Sequence, residues 1–312
     1  MSVFESLQRG IRLANRSKRI IVWILLASLS LVAVPTLILS AAVEDSLGKS
    51  EAGQQLAEGY SDRWFQEYNE QASGLAATFS PTLTGIGAVL DGYDGIVSEG
   101  VSTGSLAVLG IGLAYSLLWV FLAGGILTVY HEGIGPSFAQ LLTFSSEYFG
   151  RFLRLFILTG ITYLFLYRTL APGLDWLVDE LSREVIDERI AFAWTFLKWI
   201  PLLGVALATN LVADYTKILL VLERRRSVLL ALLRALRLVW SSLGRVVLLY
   251  ALLFLIGSLG FFLYWLIAPG VSDSSWIEVL GVLVLGQLFI VWRIWVRLTF
   301  YASQLELCRS LR

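Results

Sequence analysis

The chain has 312 residues, of which 57% are hydrophobic and only 15% are charged, and its formal net charge is zero. A soluble globular chain carries about a quarter charged residues, so this composition excludes an ordinary soluble domain. It predicts instead an all-α polytopic membrane protein. One cysteine and one histidine exclude a disulfide within the chain and a Cys/His metal site. We therefore expect no cofactor, no metal and no nucleic-acid partner.

Six apolar stretches are each long enough to cross about 30 Å of hydrocarbon. The first follows a basic segment, but it is roughly twice as long as the core of a signal peptide, so we expect an uncleaved span. Pro35 is predicted to kink it. The spans are predicted at 20–43, 105–130, 152–171, 191–220, 246–268 and 276–300. A tight turn at 269–275 and a short basic tail at 301–312 complete the pattern.

An amphipathic stretch precedes the first, third and fifth spans. In the stretch 227–245, one narrow polar stripe on an otherwise apolar helix is formed by Ser227, Arg234, Arg237, Ser241 and Arg245. Such a helix is expected to lie in the interface plane with its basic stripe toward the headgroups. Similar stripes run through 3–19 and 137–151. We call these three stretches the elbow helices.

The elbows predict an internal repeat. Each unit would consist of an elbow, an outward span, an outer loop and an inward span, in the ranges 1–132, 133–223 and 224–312. Two inward spans are followed by the same pattern, L-E-x-x-R-S, at 222–227 and 305–310. In each unit an arginine stands at the junction between the elbow and the span that follows it: Arg19, Arg151 and Arg245.

The distribution of charge predicts the orientation. With the N-terminus inside, 18 of the 24 Lys and Arg residues lie on the cytoplasmic side. Because this bias determines the topology of membrane proteins, we expect both termini in the cytoplasm and the chain in a bacterial inner membrane.

The outer loop is predicted at 44–104. Its first part, 44–72, has the pattern of an amphipathic helix, on which Trp64, Phe65 and Tyr68 can anchor at a headgroup surface. The second part, 73–104, is either a loose loop or a shallow re-entrant segment. A short acidic helix outside the bilayer is expected at 172–190, and Lys198 and Arg168 are expected to reach toward it.

One group of polar residues is expected inside the membrane, centred on Asp214. Asn210 precedes it by one turn and Lys217 follows at i+3, while Arg293 and Arg297 of the sixth span lie at a similar depth. A carboxylate in hydrocarbon is normally paired. We favour a static ion pair that locks the fourth span to the sixth through Asp214 and Arg297 or Arg293. The alternative is a gate or a coupling site for an ion or substrate.

Basic residues at the cytoplasmic span ends are candidates for binding anionic lipid headgroups, at about 1 kcal/mol each. They are Arg19, Arg151, Arg224, Arg225, Arg226, Arg234, Arg237 and Arg245. No catalytic constellation stands out, since His131 has no second histidine to assist it. Cys308 is expected to be a free thiol near the cytoplasmic face, with a weak signal for palmitoylation.

The run ADYTKILLVLERRRSVLLALLRALR (213–237) resembles a family of uncharacterised bacterial six-span integral membrane proteins, as do EDSLGKS (44–50) and AEGYSDRWFQEY (57–68). More remotely, the three units resemble the membrane domain of some glycerophosphodiester phosphodiesterases. The catalytic domain of those enzymes has no counterpart here, so the resemblance implies architecture and no activity.

Two hypotheses for the function follow. The first is a non-enzymatic scaffold or accessory subunit that contacts lipids and a partner membrane complex. The second is a permease-like transporter of a lipid-like or amphipathic substrate, suggested by Asn210, Asp214 and the glycines of the second span.

Overall fold

The computed structural model describes residues 2–49, 62–79, 103–183, 187–267 and 276–311. Within these ranges the chain is helical and contains no strand. Six helical runs are long and apolar enough to cross a membrane, which confirms a multi-pass, all-α architecture: Lys18–Gly48, Leu109–Glu132, Phe138–Ser182, Glu188–Leu222, Leu243–Ile267 and Trp276–Leu311. The predicted turn at 269–275 and the loop residues 80–102 lie outside the described residues.

The described residues form eleven α-helices: α1 (Val3–Arg16), α2 (Lys18–Lys49), α3 (Asp62–Gln71), α4 (Thr103–Glu132), α5 (Phe138–Phe165), α6 (Ala171–Ser182), α7 (Glu188–Leu197), α8 (Trp199–Leu222), α9 (Val228–Ser241), α10 (Leu243–Ile267) and α11 (Trp276–Leu311). A π-helical turn, Leu166–Leu170, joins α5 to α6.

The chain divides into two compact units. The large unit comprises Met1–Ile20, Trp119–Ile267 and Trp292–Arg312, and the small unit comprises Ile21–Leu118 and Ala268–Val291. The elbow segments and the Asp214 region both belong to the large unit.

Two of the elbow helices are separated by a serine from the long helices that follow them. Ser17 separates α1 from α2, and Ser242 separates α9 from α10. At each break the serine amide donates to a carbonyl three residues earlier, at 3.1 and 3.3 Å, instead of continuing the α-helical pattern. The second elbow differs from the prediction, because α5 passes through Arg151 without a break. No serine stands at this junction to compete for the backbone hydrogen bonds.

A serine also caps the start of each elbow segment. The hydroxyl groups of Ser2, Ser137 and Ser227 accept from the amide three residues later, at 3.2, 3.3 and 3.4 Å. At the first two positions Glu5 and Gln140 return a bond to the cap amide, which completes a capping box. Counted from each cap, the residues at +4 and +8 are buried in all three segments: Ser6 and Gly10, Leu141 and Ser145, Ala231 and Ala235.

These buried positions dock the elbow segments onto long helices of the large unit. A Cβ placed on Gly10 would lie 2.6 Å from the backbone nitrogen of Ser303, so α1 and α11 are in backbone contact. Gly125 of α4 lies equally close to the first turns of α5, where its Cβ would meet the carbonyl oxygen of Leu141 at 2.6 Å. The third elbow, α9, packs along α8. Each elbow segment therefore packs on the helix that precedes it in the chain, and α1, the first, packs on the last.

Burial in the large unit is concentrated at one end of each long helix. In α4, α8 and α11 the buried residues lie in the C-terminal part, and in α5 and α10 they lie in the N-terminal part. These parts contact one another, so they form one core, which we call the packed end. The C-terminal part of α10 exposes the large apolar side chains of Phe254, Leu259 and Phe262, and α7 exposes those of Phe192 and Phe196.

The predicted basic tail is wrong for the described residues 301–311. They are the last three turns of α11, and Tyr301, Leu305 and Cys308 among them are buried. The reason is that this segment packs against Gly10 of α1 and reaches Asp214 of α8. Cys308 is therefore a core residue rather than an accessible thiol.

In the small unit, the aromatic residues of α3 pack inward. Trp64 and Tyr68 are each 3% exposed and contact the ring of Phe79 edge-on. The Tyr68 hydroxyl donates to the carbonyl of Ala76 at 2.9 Å, and burial raises the pKa of this tyrosine. The expectation that these two rings anchor at a headgroup surface is corrected, because they form a small core of their own.

The predicted acidic helix at 172–190 is divided between two helices. α6 ends at Ser182, and Asp187 caps the start of α7 by accepting from the amide of Arg189 at 2.9 Å. Lys198, between α7 and α8, donates to the carboxylate of Asp175 in α6 at 2.6 Å. This is the contact with the acidic segment that we expected of Lys198.

Candidate functional site

Asp214 lies at the same level of the packed end as two polar residues of neighbouring helices. It stands eight residues before the last residue of α8, and Gln304 stands seven before the last residue of α11. Tyr250 stands seven residues after the first residue of α10. Because an α-helix rises 1.5 Å per residue, all three lie about 10–12 Å from a helix end.

The carboxylate of Asp214 accepts three hydrogen bonds. Lys217, one turn later on α8, donates its Nζ to Oδ1 at 2.8 Å. The hydroxyl of Tyr250 and the Nε2 of Gln304 both donate to Oδ2, the latter at 3.4 Å. We call Asp214, Lys217, Tyr250 and Gln304 the Asp214 cluster. It joins α8, α10 and α11.

The Asp214 cluster is electrically neutral and largely enclosed. The side chains of Asp214 and Lys217 are only 23% and 24% exposed. A single charge at the centre of a bilayer costs about 2.5–3.5 kcal/mol on insertion scales, and pairing within one helix offsets much of this cost. Since both carboxylate oxygens already accept donors, the cluster is suited to holding three helices together and poorly suited to taking up a proton or a cation.

The predicted partners of Asp214 in the sixth span are corrected by this geometry. The guanidinium of Arg297 lies 3.8 Å from the ring centroid of Trp119 on α4, in a cation–π contact. Arg293 is exposed and makes no ion pair within the described part of the chain. Sequence reasoning missed Tyr250 and Gln304. Gln304 fell in the supposed tail, although a polar amide seven residues from a helix end was a usable signal.

Asn210 is exposed and lies one turn before Asp214 on α8. It stands beside Tyr163 of α5, whose hydroxyl donates to the carbonyl of Ala206 at 3.3 Å. Asn210 therefore contributes to the contact between α5 and α8, and among the described residues it does not bond Asp214.

The eight arginines predicted to contact lipid headgroups fall into two groups. Four have partners within the protein: Arg151 lies over the ring of Tyr148, Arg224 pairs with Glu132 at 3.7 Å, and Arg225 and Arg234 pair with Glu223. Among the described residues, the other four are exposed and without an ion pair: Arg19, Arg226, Arg237 and Arg245.

The glutamates of the two L-E-x-x-R-S segments have equivalent partners. Glu223 pairs with Arg234 at 3.0 Å, and Glu306 pairs with Arg9 at 3.9 Å. Arg234 follows its capping residue Ser227 by seven positions, and Arg9 follows Ser2 by the same number. The glutamate of each segment thus ties an elbow helix to the long helix on which it packs.

His131, at the end of α4, is held by Arg309 of α11. One guanidinium nitrogen of Arg309 contacts the carbonyl oxygen of His131 at 2.7 Å and its Nδ1 at 3.0 Å. This arrangement connects two long helices at the packed end and fits a structural histidine.

Comparison of the chain with protein-family models, curated proteins and solved structures gave no match.

Proposed function

We propose that this protein is a non-enzymatic scaffold or accessory subunit of a bacterial inner membrane, which contacts anionic lipids and a partner membrane complex. The observation that carries this proposal is the Asp214 cluster. Both oxygens of its carboxylate accept hydrogen bonds, and the donors come from three helices, so this polar group connects helices of the bundle.

The cluster favours a scaffold over a transporter for a physical reason. A carrier must expose a polar site to water on each side in turn, which requires its helices to separate and rejoin. Separating α8 from α10 and α11 would leave Asp214 without the donors Tyr250 and Gln304 in a low-dielectric setting, at a cost of about 1–3 kcal/mol for each lost donor.

The proposal includes an orientation with the packed end in the cytoplasm and both termini on that side. It is supported by the four exposed arginines that have no ion pair within the described part of the chain, because cytoplasmic loops carry the excess of Lys and Arg: Arg19, Arg226, Arg237 and Arg245. Fusions of a periplasm-active enzyme after Arg226 and after Lys49 test it. Activity is expected only for the second fusion, and the reverse result would contradict the orientation.

Three repeat units, 1–132, 133–223 and 224–312, are also part of the proposal. The equivalent serine caps and the buried +4 and +8 positions support them. So does the docking of each elbow segment on the preceding long helix, which makes the packed end a ring of three units. This organisation is the one implied by the resemblance to bacterial six-span membrane proteins, to which we propose that the chain is related.

A partner complex is supported by the parts of the long helices away from the packed end. There α7 and α10 expose bulky apolar side chains, and no residue of α7 is buried. These surfaces face lipid or the helices of another membrane protein. Extraction into native lipid particles, followed by mass spectrometry, distinguishes contact with lipid from contact with another membrane protein. A stoichiometric protein partner, lost in a Phe192→Ala/Phe196→Ala variant and kept in a Phe254→Ala/Phe262→Ala variant, would support an accessory subunit that docks through α7.

The alternative function is a permease for a lipid-like or amphipathic substrate. Two observations favour it. Asn210 is exposed one turn before Asp214, and the side chain of Asp214 is itself 23% exposed. In the same mass-spectrometric experiment, a single enriched lipid or amphiphile without a protein partner would favour this alternative. Loss of that compound in an Asn210→Leu variant would assign it to this region.

A further inference from the structure

A basic cleft opens where α1 gives way to α2. It has a volume of about 550 Å³ and lies between the break at Ser17 and the loop that follows α4. This volume falls within the range of roughly 300–1,000 Å³ that ligand pockets occupy. Neither the Asp214 cluster nor the eight arginines discussed above, apart from Arg19, take part in it.

Three cations line one wall of the cleft: Arg16, Lys18 and Arg19. All three are exposed, and none has an ion pair or a side-chain hydrogen bond within the described residues. Among the described residues that line the cleft, none carries a carboxylate side chain. The cations therefore set a positive potential that nothing else lining the cleft neutralises.

Much of the remaining lining is apolar. Leu13 and Ile134 offer accessible aliphatic side chains, while Ile20 and Val129 are buried beneath them, and Gly133, Gly135 and Pro136 also line the cleft. A ligand that fills this space must carry negative charge at one part and hydrocarbon at another. The phosphate group and adjoining acyl carbons of a glycerophospholipid have this distribution.

The cleft is held in shape by contacts on both sides. Asn15, which lines it, accepts a hydrogen bond at 2.8 Å from the indole nitrogen of Trp295 on α11. On the other side Gly133 ends α4 in a left-handed conformation, with φ of 69°, and its amide donates to the carbonyl of Val129 at 2.9 Å. A preformed site of this kind binds without first ordering its walls.

We infer that this cleft binds one anionic glycerophospholipid, with the headgroup phosphate on Arg16, Lys18 and Arg19 and the first acyl carbons on Leu13 and Ile134. The position of the cleft agrees with this ligand. Lys18 begins the first span and Gly133 follows the end of the second, so the cleft lies at the level of the lipid phosphates. The inference deepens the contact with anionic lipid that we proposed above. Of that proposal it requires only that the protein lies in a membrane.

The test is native mass spectrometry of the detergent-purified protein titrated with phosphatidylglycerol, and with phosphatidylcholine as the zwitterionic reference, in which the choline cation offsets the phosphate charge. An Arg16→Gln/Lys18→Gln/Arg19→Gln variant is expected to lose about a hundredfold in affinity for phosphatidylglycerol, at roughly fivefold per cation. The matched control, Arg63→Gln/Arg183→Gln/Arg189→Gln, removes the same charge at exposed positions that neither line the cleft nor belong to the arginines expected to contact headgroups. It is expected to lose less than about fivefold. Equal losses in the two variants would overturn the inference in favour of diffuse surface attraction.

A second variant blocks the cleft without changing charge. Gly135 has open space where a Cβ would stand, so Gly135→Trp places an indole in the cleft without disturbing the surrounding core. We expect this variant to unfold at the wild-type temperature and to lose the bound lipid. Full retention of the lipid would overturn the inference. Displacement of the lipid by an excess of inorganic phosphate alone would overturn the lipid assignment in favour of a free phosphate ligand.

These outcomes are distinguishable from a failure of the proposed function. Loss of lipid binding in the cleft does not alter the capture of a partner through α7, and absence of a partner does not alter the titration.

Discussion

Arg9 of α1 and Glu306 of α11 form an ion pair at 3.9 Å, which joins the first helix of the chain to the last. The same relationship joins Arg234 of α9 to Glu223 at the end of α8, at 3.0 Å. In both cases the arginine stands seven residues after a serine cap. The same type of contact therefore joins α1 to α11 and α9 to the end of α8.

The first prediction concerns this ion pair. Arg9 is 55% exposed while Glu306 is 13% exposed and is shared with Arg309 at 2.6 Å. Arg9→Gln is therefore expected to cost less than about 1 kcal/mol of unfolding free energy. Glu306→Gln is expected to cost about 1–3 kcal/mol, because it removes the negative charge that two guanidinium groups share and turns an NH2 donor toward one of them. Unfolding in mixed micelles measures both. Equal, negligible costs would show that the glutamate does not hold α1 in place.

The second prediction concerns the close approach of α1 and α11. Gly10→Ala forces a Cβ against the backbone of Ser303 and is expected to destabilise the protein by about 1–3 kcal/mol. Gly150→Ala is the matched control, since a Cβ there meets nothing within 4 Å. The control is expected to be neutral or to stabilise by up to about 1 kcal/mol, because alanine favours the helix. If both variants unfold at the wild-type denaturant concentration, the contact is looser than described.

The third prediction concerns the partner of Asp214. Asp214→Asn and Lys217→Gln each leave the other member of the pair uncompensated, so their effects on unfolding free energy are expected to be less than additive, with a coupling of about 1–3 kcal/mol. Arg297→Gln is the control, because Arg297 stacks on Trp119 instead. Its effect is expected to add to that of Asp214→Asn. A coupling with Arg297 as large as that with Lys217 would restore the pairing expected from the sequence.

The fourth prediction concerns pH and the small unit. The folded pKa of Tyr68 is raised above its ordinary value of 10.0 by burial, so folding favours the neutral hydroxyl. Its contribution to stability is fully present below pH 10.0 and is lost as the pH rises through the folded pKa. Protease cleavage near α3 is therefore expected to accelerate above this pH in the wild type. A Tyr68→Phe variant, which cannot ionise, should lack this increase, and an equal increase in both would contradict the assignment.

Hydropathy was sufficient to predict six helices long and apolar enough to span a membrane, and periodicity was sufficient to predict that 3–16 and 228–241 are helical. Spans are readable because about 20 consecutive apolar residues have few alternatives in a membrane protein. The fused second elbow was not predicted, because the stripe of polar residues carries no information about where a helix breaks. The serines at Ser17 and Ser242 carried that information, and the absence of a counterpart beside Arg151 was visible in the sequence.

The sequence predicted the contact region around Asp214 and Lys217, but it did not predict Tyr250 and Gln304, which donate to Asp214 from other helices. Asp214 and Lys217 are recognisable because charges are rare in spans and i,i+3 neighbours contact each other on a helix. Tyr250 and Gln304 come from other helices, so their identity depends on how α8, α10 and α11 are rotated about their axes. Hydropathy does not determine that rotation. The short C-terminal segment was taken for a tail because its polar residues were assumed to face water, whereas Gln304 faces a carboxylate.

The central claim is that the Asp214 cluster is a static lock and not part of a substrate path, and its water accessibility tests this most directly. Single cysteines at Tyr250 and Gln304, both members of the cluster, would be treated with a membrane-impermeant thiol reagent from each side of the membrane, in a Cys308→Ala background. Ile134→Cys, in the loop after α4, is the reactive reference. We predict that the reference reacts from one side only and that Tyr250→Cys and Gln304→Cys resist the reagent from both. Reaction of these two positions from both sides would contradict the lock and identify a permease.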